Sequence, residues 1–188
     1  DIPGDMGRIM VNYLKHWKND GLKYLKVEEK FEIKLSKSLV FVFQLDALVQ
    51  DKKKRKWLFE RKTPKKFPEE DVRMADLQTL LYVWGLKQNK THVEGILWDY
   101  VRSKPPTQPE VLKKGGLSVA QNIDTDYDTY LEAIKKNKLK PRDYQEKLKS
   151  LEGASDKFFR RIYMTAPSEV VDQLVDDMLT TSKEIQQN

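Results

Sequence analysis

The chain contains no cysteine in 188 residues. Disulfides, thiolate metal sites and a cysteine-held iron–sulfur cluster are therefore excluded for these residues, and a reducing compartment suits the composition. No apolar run approaches the ~20 residues a bilayer span requires, so no membrane association is expected. No secretory segment opens the sequence, and no internal repeat is visible. It begins Asp1-Ile2-Pro3 without an initiator Met, as a piece of a longer protein would.

What is present bounds the class further. Hydrophobic residues make up 39%, including 4 Trp, 8 Tyr and 7 Phe, enough for one compact core. The expectation is one domain over 1–188, with a core at about 6–104 and a loop and helical extension at about 105–188. A net charge of +6 and a pI near 9.2 favour an anionic partner, although acidic residues are also plentiful.

Hydrophobic spacing predicts a helix from Met6 to Leu25, strands at Val27–Leu35, Leu39–Val49 and Lys56–Lys62, then a helix at about Glu69–Asn89 and a strand at Val93–Arg102. Pro105 to Asp124 reads as loop. Helices are expected at about Tyr127–Asn137, Pro141–Leu151, Ser155–Met164 and Ser168–Ile185, punctuated by Pro141, Gly153 and Pro167. The class is α/β, a central mixed sheet flanked by helices with a helical C-terminal region.

The informative stretch runs Phe41-Val42-Phe43-Gln44-Leu45-Asp46, then a basic turn, then Trp57-Leu58-Phe59-Glu60-Arg61-Lys62. A turn centred near Lys53 sets Asp46 opposite Glu60, where paired Cβ atoms lie roughly 4.5–5.5 Å apart. Lys62, two residues on, shares the face of Glu60. A second turn centred on Lys37 pairs Glu28 with Asp46, so three acids would converge; a one-residue slip would flip every side chain. Carboxylates that hold a hard ion beside a cation suit metal-assisted phosphodiester hydrolysis. A Glu-x-Lys triplet alone is weak evidence, since Glu28-x-Lys30 and Glu32-x-Lys34 match it too. The setting distinguishes Glu60: an acid ending an apolar strand is costly unless paired or ligated.

Asp46, the Glu60-x-Lys62 triplet and Gln78-x-x-x-Tyr82 together resemble the PD-(D/E)XK nuclease superfamily, nearest its RecB-like, phage-type exonuclease branch. The resemblance is best over Val27 to Pro106. It implies a restriction-endonuclease-like core and a Mg²⁺- or Mn²⁺-dependent deoxyribonuclease, expected to be an exonuclease in recombination, repair or phage DNA processing. Asp46 and Glu60 would ligate the metal, Glu28 would complete the sphere or act through water, and Lys62 would orient the attacking water. DNA is the expected partner, with a recombination or repair protein beside it. The cytoplasm is the expected location (the host's, if phage-encoded), with the nucleus left open.

Other readings stand beside these. Gln78 and Tyr82 share a helical face and either contact DNA or mark the boundary of a packed helix. Lys65 and Lys66 follow the metal strand and suit phosphate attraction. The basic run Lys52–Lys56 sits at the far hairpin tip, on the order of 20 Å from Asp46, and reads as a solvated turn. His16 matches a region where some family members carry a metal-ligating histidine, or else packs beside Trp17. Phe43 departs from the pattern, because members often carry glycine three residues before the aspartate. A non-catalytic DNA-binding scaffold of the same fold, or an endonuclease or junction resolvase, remains the alternative.

Overall fold

The computed structural model describes residues 4–67 and 77–187. Strands β1 (Lys23–Val27), β2 (Lys30–Lys34), β3 (Val40–Gln44), β4 (Ala47–Gln50) and β5 (Lys56–Lys62) come first after helix α1 (Gly4–His16). The registers are those that the two turn centres predict, except at the start of β1, where the pairing shifts by one residue between Tyr24 and Lys26. Lys30 faces Gln44 and Val27 faces Ala47, both consistent with a centre at Lys37, and Ala47 faces Phe59 about a centre at Lys53.

The long continuous hairpin is interrupted, however. Glu28 adopts φ 50, the left-handed region that non-glycine residues rarely enter. Hydrogen bonds persist across the break, from Glu28 N to Asp46 O (3.0 Å) and from Leu45 N to Glu29 O (3.1 Å). Beyond it, β2 and β3 form their own two-stranded sheet, while β1 and β4 belong to a five-stranded one.

The expected helix Met6–Leu25 is shorter than its apolar spacing suggested. α1 stops at His16, and Leu25 lies in β1. A turn separates them: Gly21 takes φ +74 and the Leu22 N–H donates to Asp20 Oδ1 at 2.9 Å.

Helix α2 (Leu77–Gln88) occupies the described part of the expected Glu69–Asn89 helix; 68–76 lie outside the described residues. It packs on the small sheet through Phe43, whose ring stacks on Tyr82 at 5.2 Å and on Phe31 at 5.1 Å. β6 (Gly95–Val101) follows, buried throughout. Glu94 N donates to Lys56 O at 2.9 Å just before β6, and Ser103 N to Pro64 O at 3.1 Å just after it, so β5 and β6 run parallel. That direction is what an intervening helix allows.

The expected helix Ser155–Met164 is instead a 3₁₀ turn at Ala154–Lys157 and a strand, β7 (Phe159–Thr165). Its aromatic and β-branched residues favour a pleated surface. Gly95 at the start of β6 lies against Met164 and Thr165 at the end of β7, which makes the pair antiparallel. The sheet order is β1-β4-β5-β6-β7. The C-terminal region is otherwise helical: α3 (Tyr127–Lys136), a 3₁₀ turn at Pro141–Tyr144, α4 (Gln145–Ser150) and α5 (Ser168–Gln187). Among the described residues no helix is long and apolar enough to cross a membrane.

Contacts divide the chain into two compact units that do not follow sequence order. One comprises Asp1–Lys18, Thr63–Lys66 and Tyr100–Arg160; its cores gather Ile9, Tyr13, Val101, Phe158 and Phe159, and separately Leu117, Tyr130, Ile134 and Leu148. The other comprises Asn19–Lys62, Phe67–Asp99 and Arg161–Asn188, with Ala47, Val49, Trp57, Phe59 and Leu97 at one core.

Two stability predictions follow from this packing. A Cβ at Gly85 of α2 would lie 2.4 Å from the Phe43 ring. Glycine to alanine inside a helix normally stabilises by about 1 kcal/mol, but overpacking costs about 1–3 kcal/mol. Gly85→Ala is therefore expected to lower the urea midpoint, and Phe43→Leu in the same chain to recover part of the loss.

In the first unit Arg102 donates from both terminal nitrogens to Asp124, at 3.0 and 2.7 Å. These bonds hold the Asp124 carboxyl below its ordinary range, with burial opposing them. A carboxyl depressed in the folded state contributes stability that is complete above its unfolded pKa of about 4 and disappears as pH falls through the folded value. Asp124→Asn should thus be less stable than the parent at neutral pH, with the gap in urea midpoint closing below about pH 4.

Candidate active site

The strand β5 carries the candidate triplet, and alternation divides it between two faces. Leu58, Glu60 and Lys62 project to one side; Trp57, Phe59 and Arg61 project to the other with Ala47 and Val49. Glu60 is 7% exposed, a carboxylate that cannot stay ionised there without a partner. Lys62 Nζ supplies one at 2.9 Å and lies 5.6 Å from the centre of the Trp98 ring.

Asp46 sits one residue before β4, just past the last ladder pair, Ala47 with Phe59. It is exposed, and the Arg61 N–H donates to its Oδ2 at 2.8 Å. Among the described residues this is the one hydrogen bond its side chain takes, which leaves Oδ1 open. A cleft of about 340 Å³ opens there, lined by Tyr24, Val27, Glu28, Asp46, Phe59 and Arg61. Burial pushes the Tyr24 phenol above its ordinary pKa, with Arg161 opposing.

The structure thus brings Asp46 and Glu28 to one cleft and joins Glu60 to Lys62 as an ion pair. It does not gather Glu28, Asp46 and Glu60 into one cluster: among the described residues no group of three or more His, Cys, Asp or Glu side chains is arranged to hold a metal ion. The left-handed backbone at Glu28 changes the direction that strand alternation would have given its side chain.

The remaining candidates are placed as follows. Gln78 is exposed, and its Nε2 donates to the Tyr82 hydroxyl; the half-buried Tyr82 ring stacks on Phe43. Lys65 and Lys66 are exposed in the bend that follows β5 along the chain. Lys52–Arg55 form the exposed turn at the opposite end of β5, closed by Asp51, whose Oδ1 accepts from the Lys53 and Arg55 N–H groups at 2.9 Å each. His16 packs at 4.4 Å from Trp17 and 5.4 Å from Phe159 in the aromatic core of the first unit. Phe43 is 3% exposed and anchors α2.

Sequence reasoning passed over a buried charge network behind the cleft. Asp99, fully buried in β6, accepts from Arg61 Nε at 2.9 Å and from Arg161 Nε at 2.7 Å. Arg161 also pairs with Asp20. Both guanidinium groups lie 5.5 Å from the Phe59 ring centre. The signal was available in Ile96-Leu97-Trp98-Asp99-Tyr100-Val101, because an acid in the middle of an apolar strand needs a cationic partner.

Removing one member of a buried pair costs about 3–5 kcal/mol, since the remaining charge is stranded. Asp99→Asn is expected to fall in that range by chemical denaturation. Arg161, 5% exposed in its side chain, should cost more on replacement by Ala than Arg61, which is 38% exposed. Equal losses at the two arginines would contradict this ranking.

Against known proteins, no family model and no curated sequence matches the chain.

Proposed function

We propose that the chain is a divalent-metal-dependent DNA nuclease of the PD-(D/E)XK kind, acting as an exonuclease in recombination, repair or phage DNA processing. The observation that carries this reading is the hydrogen bond from Arg61 N to Asp46 Oδ2. It holds an exposed aspartate beside the backbone of the Glu60-x-Lys62 triplet, on a hairpin followed by a helix and a parallel strand. That order of parts is the one the family resemblance implies.

The donor chemistry fits a hard ion. Asp46 offers an open carboxylate oxygen at a cleft, and Mg²⁺ takes one or two carboxylates while keeping several waters and accepting substrate phosphates. Mn²⁺ accepts the same oxygens. Asp46 and Glu60 are the residues that would hold the ion, with Glu28 at the same cleft as Asp46 acting through water. When bound, such an ion lowers the pKa of its water and polarises a phosphoryl oxygen.

The chain's own groups supply the rest. The Lys62 ammonium, beside the Trp98 ring and released from Glu60 when that carboxylate turns to the ion, stabilises negative charge as it develops on the phosphoryl oxygens. Lys65 and Lys66 attract phosphates without regard to sequence. Gln78 and the Tyr82 hydroxyl contact the DNA strand, the Tyr82 ring being held by Phe43.

A second reading, a non-catalytic DNA-binding scaffold, is favoured by two observations. Glu60 is already neutralised by Lys62, with no cluster of three metal-ligating side chains among the described residues.

Incubation with labelled linear and circular DNA, with and without Mn²⁺, separates the readings. The nuclease reading expects Mn²⁺-dependent loss of linear DNA, abolished in Asp46→Asn and Glu60→Gln. Lys62→Met is expected to slow cleavage by about 10²–10³. Cleavage of the circular substrate would move the assignment to an endonuclease or resolvase. DNA that is bound but left intact would establish the scaffold.

A further inference from the structure

The first unit contains a second cleft, of about 550 Å³, between the loop at Val119–Gln121 and the helical turns from Arg142 to Ser150. Its volume lies within the roughly 300–1,000 Å³ that small-ligand sites occupy. Lys147 of α4 lines this cleft while only 7% exposed. An ammonium carries three donors. Among the described residues Lys147 Nζ has one acceptor, the Ala120 carbonyl at 2.8 Å, and no carboxylate in ion-pairing range. Buried lysines are normally paired.

The field around Lys147 calls for an anion. Burial pushes its pKa down, and the charge of Lys157 pushes it the same way. Arg142 lines the same cleft; its contact with Asp143, 3.7 Å between exposed groups, is of a kind worth little. The two cations belong to different helical turns that both line the cleft, which suits a group with several oxygens and more than one charge better than a single carboxylate. The amides of Gln121 and Gln145, with Tyr144 and Ser150, add neutral polar groups to the lining and match hydroxyl groups. Asp143 and Glu146 also line the cleft, so its two cations are balanced by two carboxylates at the lining.

We propose that this cleft binds a small phosphomonoester that carries hydroxyl groups, with Lys147 and Arg142 on the phosphate. The site stands apart from the nuclease reading and shares none of its residues.

Titration calorimetry at matched ionic strength tests it with four probes: ribose 5-phosphate, a nucleoside 5′-monophosphate, inorganic phosphate and ribose. At least one ester is expected to bind saturably, inorganic phosphate more weakly, and ribose not at all; which ester binds tighter identifies the attached group. A charge-assisted hydrogen bond contributes about 1.5–3 kcal/mol, so Lys147→Met and Arg142→Gln should each weaken binding by about tenfold or more. Arg142 is exposed and its replacement leaves the core untouched, so that variant decides the matter even if Lys147→Met does not fold. The proposal is overturned if neither ester saturates, or if Arg142→Gln binds as tightly as the parent.

Discussion

A carboxylate in the middle of a buried strand has to be neutralised, and in the sheet unit that requirement falls on Asp99. Its two oxygens take one guanidinium from β5 and one from β7, at 2.9 and 2.7 Å. Arg161 then reaches Asp20, in the turn before β1. One buried charge therefore ties the turn before β1 to β5, β6 and β7. Such a network adds little net stability over an apolar core, because desolvation offsets most of the attraction. Breaking it is another matter: a slip that separated Asp99 from its arginines would strand a buried charge, at a cost of about 3–5 kcal/mol. The Phe59 ring, near both guanidinium groups, gives the pair an apolar support.

The consequence for the candidate site lies in the three residues Glu60, Arg61 and Lys62. Arg61 is fixed by Asp99 through its side chain and fixes Asp46 through its backbone N–H. Alternation sends Glu60 and Lys62 the other way, where they pair with each other beside Trp98. The middle position of an acid–x–lysine triplet is thus not a spacer in this chain. It joins the buried network to the exposed aspartate, and the proposed chemistry depends on that junction keeping its geometry.

Much of this was legible in the sequence, for local reasons. Polar turns centred on Lys37 and Lys53 set the hairpin registers, and the structure has both. The apolar spacing of Val93–Arg102 marked a strand, and the structure has one at Gly95–Val101. What escaped was non-local or conformational. Nothing in Val27-Glu28-Glu29 announces a left-handed residue, yet φ 50 at Glu28 splits the hairpin into two sheets. Phe159–Thr165 has a spacing that fits a helix, and its place beside β6 depends on Arg161 meeting an aspartate 62 positions earlier in the chain. Phe43 departs from the pattern of the family that the chain resembles, whose members often carry glycine there. Its role is packing, and the complementary glycine is Gly85 on the facing helix.

The proposed function turns on whether Asp46 and Glu60 serve one ion despite the division of faces along β5. Anomalous diffraction from crystals soaked in Mn²⁺ reads this directly. The proposal predicts one strong peak with oxygens of both Asp46 and Glu60 in its coordination shell, the Lys62 ammonium having moved off Glu60 to make room. A soaked crystal with no peak at Asp46, or with Glu60 still bonded to Lys62 and the ion held elsewhere, would contradict it.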